Sequence, residues 1–109
     1  MEQGPKHATH ALAWIKEAVR DGRYSRTKHL FDRMSLRNVT LADVITAIQR
    51  AARVEAYADP PRHGGTCWRV FGQDLDGREL AIGVEAYRDD DERWTILCTV
   101  IELPGRQRR

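Results

Sequence analysis

Cysteine is scarce in this chain: Cys67 and Cys98 are the only two among 109 residues. They show no C-x-x-C spacing and have no histidine close by in sequence, which argues against a structural zinc site. Adjacent strands could bring them together, but in a reducing compartment two buried thiols are the expectation rather than a disulfide. Long apolar runs are missing too. None approaches the roughly 20 residues of a membrane-spanning helix, and the opening MEQGPKHATH lacks the apolar segment of a signal peptide. This predicts a cytoplasmic protein with no membrane partner. Repeats and low-complexity segments are absent. Neither sign of charge dominates, the formal net charge being +2, whereas a dedicated nucleic-acid binder usually carries a stronger basic footprint.

What is present is globular composition, with 41% hydrophobic and 31% charged residues. The length predicts a single domain over 1–109. Charge is unevenly placed: acidic residues gather at Asp89 to Glu92, while Arg20 to Arg37 and the terminal GRQRR are basic.

The first half reads as helices. Ala8, Ala11, Leu12, Ile15, Ala18 and Val19 follow helical spacing up to Gly22. Ser25 is a fair N-cap for a second helix ending near Asn38, and Thr40-Leu41-Ala42-Asp43 resembles a capping box for a third, ending near Ala51. The second half reads as strands over Arg53–Tyr57, Thr66–Gln73, Glu79–Tyr87 and Trp94–Leu103. Asp76-Gly77 marks a tight hairpin, and Asp59-Pro60-Pro61 closes the first strand. The last strand is apolar on both faces around Ile96 to Ile101, which places it inside the sheet. The predicted architecture is α+β: about three N-terminal helices packed on one face of a curved four-stranded antiparallel sheet, a meander.

The second helix is the most informative stretch. Leu30, Phe31 and Met34 form its apolar stripe, and Arg26, His29, Arg33 and Arg37 run along the rim of that stripe. A rim position lets a side chain be held by packing and still reach a ligand. It equally describes an ordinary amphipathic helix with a solvated flank.

Several elements in fixed order resemble a bacterial family. They are His29, Arg33, Met34, Arg37, Asn38, Val39, Thr40, Asp43 and Val44; then Tyr57; then Gly72, Asp74, Asp76, Gly77 and Arg78; then Thr99 and Val100. The set resembles the domain-of-unknown-function 4258 family, which is similar to the small toxin ribonucleases of the RelE and BrnT kind. The resemblance covers 25–103 as a family-like core, with 1–24 as an N-terminal helical extension and 104–109 as a basic tail.

The resemblance implies a metal-independent endoribonuclease of the bacterial toxin type, needing no cofactor and no metal. Its partners would be an RNA substrate and an antitoxin protein. In such chemistry the ribose 2′-hydroxyl attacks the neighbouring phosphate, so a proton acceptor, a proton donor and cations for the phosphorane are required. His29, Arg33 and Arg78 form the candidate catalytic set, and Arg69, Arg37, Tyr57 and Thr99 the candidate substrate-binding set. Each has a competing structural account. His29 can cap a packing edge, Arg33 can pair with Asp32 or Asp43, and Arg78 can be an exposed hairpin residue. Arg37 can neutralise the end of its helix, and strand propensity accounts for Tyr57 and Thr99. Arg69 projects with Cys67 and Phe71, toward an open sheet face. His63, in the loop Pro-Pro-Arg-His-Gly-Gly, reads as a solvated histidine. His7 and His10 make a weak metal pair, and Asp74 and Asp76 read as turn formers. The alternative function is a non-catalytic RNA- or protein-binding module on the same fold. Trp14 sits off the first helix's main stripe and either meets a neighbouring element or forms part of an oligomer contact; a homodimer joined through the first helix and Trp14 is the third reading.

Overall fold

The computed structural model describes residues 3–104; apart from Pro104, the expected basic tail lies outside them. The elements follow as α1 (Ala8–Arg20), β1 (Tyr24–Arg26), α2 (Lys28–Arg37), α3 (Leu41–Arg50), β2 (Arg53–Ala56), β3 (Thr66–Gln73), β4 (Glu79–Asp89) and β5 (Glu92–Glu102). The class is α+β, but the expected four-stranded antiparallel meander is corrected. The sheet has five strands in the order β1-β5-β4-β3-β2, and β1 runs parallel to β5. Tyr24, Ser25 and Arg26 pair with Thr95, Ile96 and Leu97. Three residues are too few to show a strand's alternation. The segment is extended because the outer edge of β5 offers backbone groups that need partners. With β1 in place, β5 lies inside the sheet, as its two apolar faces require.

β1 also moves the start of the second helix. Its N-cap is Thr27, not Ser25, and the Thr27 hydroxyl oxygen accepts from the Leu30 N–H at 3.0 Å. The same hydroxyl donates to the Cys98 carbonyl at 2.9 Å, and the Thr27 N–H donates to the Leu97 carbonyl at 3.1 Å. The first turn of α2 is thus bolted to β5. Asn38 ends α2 in the left-handed region at φ 55, and the Thr40–Asp43 capping box is formed in full.

All three helices share one buried cluster with one sheet face, including Trp14, Leu30, Ile48, Val70, Ile82 and Leu97. Trp14 is fully buried and donates from Nε1 to the Trp94 carbonyl at 3.1 Å, with His10 edge-on at 5.6 Å. It meets its own chain's sheet, the first of the two places expected for it. Phe31 is also corrected: it is exposed, with the Arg26 guanidinium 4.8 Å over its ring. No helix among the described residues is long and apolar enough to cross a membrane.

Candidate functional site

Strand alternation sends every second side chain of the sheet away from the helices. On β3 these are Cys67, Arg69 and Phe71, and register sets Glu85 opposite Cys67 and Gly83 opposite Arg69. On β5 the partners of Glu85 and Gly83 are Ile96 and Thr99. A register shift between Gly83 and Val84 leaves Cys98 as an extra residue, a β-bulge. The bulge lets Leu97 and Val100 both face the core, three positions apart, and turns Thr99 to the open side.

On that side lies a pocket of about 280 Å³, near the lower end of the roughly 300–1,000 Å³ common for small-ligand sites. Its floor is sheet: Gly83, Glu85, Cys67, Ile96, Cys98 and Thr99. Thr27 and His29 of α2 form one wall, and Tyr57, Asp59, Pro60, Arg62 and His63 form the other. Gly83 leaves the floor open, since a Cβ there would stand 2.8 Å from the Thr99 methyl group and 3.8 Å from the Tyr57 ring.

Of the residues expected at a site, His29, Tyr57 and Thr99 line this one pocket from three different elements. Two arginines adjoin it through those residues. Arg33 Nε donates to His29 Nε2 at 3.4 Å, and the Arg69 guanidinium lies 4.5 Å from the Tyr57 ring centroid. Arg33 takes neither expected acidic partner: Lys28 pairs with Asp32, and Arg78 pairs with Asp43. Among the described residues neither Arg33 nor Arg69 stands in an ion pair.

Arg78 and Arg37 are not brought in. Arg78 is no free hairpin residue either. Its Nε donates to Asp74 at 2.8 Å, its Nη2 lies 3.2 Å from Asp43, and its Nη1 reaches the Asn38 carbonyl at 3.1 Å. It therefore caps the C-terminal end of α2, about 12 Å along the helix from His29. Asp74 is 0% exposed and also accepts the Asp76 and Arg78 N–H groups at 2.9 Å. Burial pushes its carboxyl up, but the hydrogen bonds from Arg78 and Asp76 outweigh burial and hold it below the ordinary carboxylate range. Asp74 is thus the turn former the sequence suggested, and a buried ion-pair partner as well. Arg37 lies at the end of α2, its carbonyl near Arg78 Nη1 at 3.4 Å and its Nε buried without a partner among the described residues.

The pocket also holds residues that sequence reasoning passed over. His63 is solvent-exposed, as the sequence suggested, and it also lines the wall. Glu85 is 3% exposed and accepts the backbone N–H groups of Arg62 at 2.9 Å, His63 at 2.8 Å and Gly65 at 3.0 Å. A buried carboxylate with this many donors is a rigid anchor for the loop. The one available signal was a glutamate between Val84 and Ala86 on a strand whose neighbours are apolar. Both cysteines line the pocket and are free thiols. Their strands flank β4, so roughly 9–10 Å separates the backbones, beyond disulfide reach. Burial, with help from Glu85, pushes the Cys67 thiol up to about 11, and burial raises Cys98 too. Both are therefore poor nucleophiles. Among the described residues no three or more His, Cys, Asp or Glu side chains are grouped to hold a metal ion.

A family model described as Domain of unknown function (DUF4258) matches residues 26–102. The match takes in every pocket residue and leaves α1 outside, although α1 shares the same core. No curated protein and no solved structure matches the chain.

Proposed function

We propose that in this chain, which belongs to the DUF4258 family, the pocket cleaves RNA phosphodiesters without a metal. The observation that carries this reading is the meeting of His29, Tyr57 and Thr99 in one pocket, with Arg33 and Arg69 in contact with two of them. The Arg33 N–H is directed at His29 Nε2; when Arg33 turns to the phosphate, the single lone pair of that nitrogen is open to the proton of a ribose 2′-hydroxyl. Arg33 and Arg69 stand ready for the charge that builds on the phosphate oxygens. The Thr99 and Tyr57 hydroxyls supply neutral hydrogen bonds to the same group. Beside the pocket the open sheet face carries guanidiniums on rings, Arg69 on Tyr57 and Arg53 on Phe71 at 3.7 Å, a surface suited to single-stranded nucleic acid. Arg78 and Arg37 hold the fold in this proposal and take no part in the chemistry.

The toxin-type role belongs to the same proposal: a cytoplasmic ribonuclease held in check by an antitoxin that covers the pocket, in the manner of the RelE and BrnT kind. The test is cleavage of total RNA by purified protein in the presence of chelator. Wild type cleaves, and His29→Ala and Arg33→Ala do not. Intact RNA with all three proteins favours the second reading, a binding module without catalysis, for which the ion-paired state of Arg78 speaks. In that case RNA or protein binding survives His29→Ala.

A further inference from the structure

We infer that His63 is the second proton-transfer group of the pocket, the donor to the departing 5′-oxygen, held in place by the buried carboxylate of Glu85. The inference rests on the ribonuclease reading and supplies what that reading lacks. When a 2′-oxygen attacks phosphorus, one group must take its proton and another must give one to the leaving oxygen. His29 fills the first role only.

The segment joining β2 to β3 holds the backbone that carries this imidazole, while the ring itself is 53% exposed. Glu85 draws three backbone N–H groups of the segment down onto β4. Gly65 lies so close that a Cβ would stand 2.0 Å from the Ala86 carbonyl oxygen, so the backbone is flat against the strand. The His63 ring then rests 5.1 Å from the Tyr87 ring, with Nδ1 3.7 Å from Glu85 Oε1. The Glu85 carboxyl on the Nδ1 side, beyond hydrogen-bond length, places the ring through its segment's backbone, and Nε2 is the nitrogen left to exchange a proton with a substrate. Glu85 is the positioning residue. The titratable groups around the ring are Glu85 and Tyr87 of β4, Cys67 of β3 and Cys98 of β5. His29 of α2 shares the pocket, and the ring's own segment adds Tyr57, Asp59 and Arg62. Burial raises the Tyr87 phenol and both thiols, and imidazole is the side-chain type suited to passing a proton in either direction.

The step balances as follows. Neutral His29 takes the 2′-hydroxyl proton and the 2′-oxygen bonds to phosphorus. The bond from phosphorus to the 5′-oxygen breaks, and that oxygen leaves with the bonding pair and takes a proton from the His63 imidazolium. The products are a 2′,3′-cyclic phosphate and a 5′-hydroxyl; one proton has passed from His63 to His29, and nothing is oxidised or reduced.

Two substrates separate this role from a structural one. A dinucleotide has a poor leaving group that needs an acid, whereas a uridine 3′-(4-nitrophenyl phosphate) has one that does not. His63→Gln loses about 100-fold or more on the dinucleotide and stays near wild type on the aryl ester, while His29→Gln loses on both. His63→Gln also loses the alkaline limb of the dinucleotide pH profile. His63→Asn is run in parallel, with melting followed by circular dichroism, so that misfolding shows as equal loss on both substrates. Equal loss in folded variants, or no loss on the dinucleotide, overturns the role of His63 alone. A wild-type protein that cleaves neither substrate overturns the ribonuclease reading and this inference with it.

Discussion

At its first turn α2 presents His29 to an open pocket, with Arg33 alongside; at its last turn its carbonyls are gripped by Arg78, whose charge is already taken by Asp74 and Asp43. Both ends carry a guanidinium within a motif that resembles a family pattern. The difference between them is the supply of carboxylates. Near Arg33, Asp32 is paired with Lys28, and the pocket acids Asp59 and Glu85 make no ion pair with Arg33, so this guanidinium has no anion among the described residues. At the far end a buried Asp74 needs a counter-charge, and Arg78 is consumed in providing it. Of these two guanidiniums, the one without an anion is the one open to a ligand.

The contrast can be broken from either end. The largest effect expected is at the open end: His29→Ala lowers RNA cleavage by about 100-fold or more, while the melting temperature stays within about 1 °C, because an exposed side chain contributes little to stability. A large fall in melting temperature would mean that His29 holds the fold as Arg78 does. Next comes the closed end. Arg78→Ala takes the counter-charge from buried Asp74, which keeps only its two backbone N–H donors, and costs about 3 kcal/mol, which lowers the melting temperature by more than about 10 °C. Cleavage per folded molecule is unchanged, and a selective loss of activity without destabilisation would return Arg78 to the site.

The smallest effect sharpens the closed end alone. Asp74 is held below the ordinary carboxylate range in the folded chain, so it contributes stability above the unfolded value of about 3.9. That contribution is lost as pH falls below about 4, through the folded value. Denaturant midpoints followed from pH 6 downward therefore drop less steeply for Asp74→Asn, which starts lower, than for wild type. Parallel curves would show that Asp74 carries no such linkage.

Much of this was legible where the information is local. The Thr40–Asp43 capping box, the left-handed end at Asn38 and the Asp76-Gly77 hairpin each follow from residues within four positions of one another. Period-two alternation put Arg69 on the open face, and the two-faced apolar stretch of β5 put that strand inside the sheet. What escaped depends on contacts distant in sequence. β1 exists because of the edge of β5, some 70 residues away, and once it exists Thr27 displaces Ser25 as the cap. Arg78 read as a site residue although Asp74 lies only four positions before it; what its local sequence hides is the burial of Asp74 and the contact with Asp43, 35 residues away. Glu85 and His63 escaped for the same reason: nothing in their local sequence shows that one folds the other's loop onto the sheet.

In the proposed chemistry a nucleotide phosphate binds in one pocket, walled by α2 and the segment after β2. Titrating the uniformly 15N-labelled protein with uridine 3′-monophosphate and following amide and imidazole resonances tests this directly. The predicted result is saturable shifts centred on His29, Tyr57, His63 and Thr99, with none at Arg78 or Asp74. Shifts gathered at the C-terminal end of α2 and the Asp74–Arg78 turn, with the pocket silent, would contradict it.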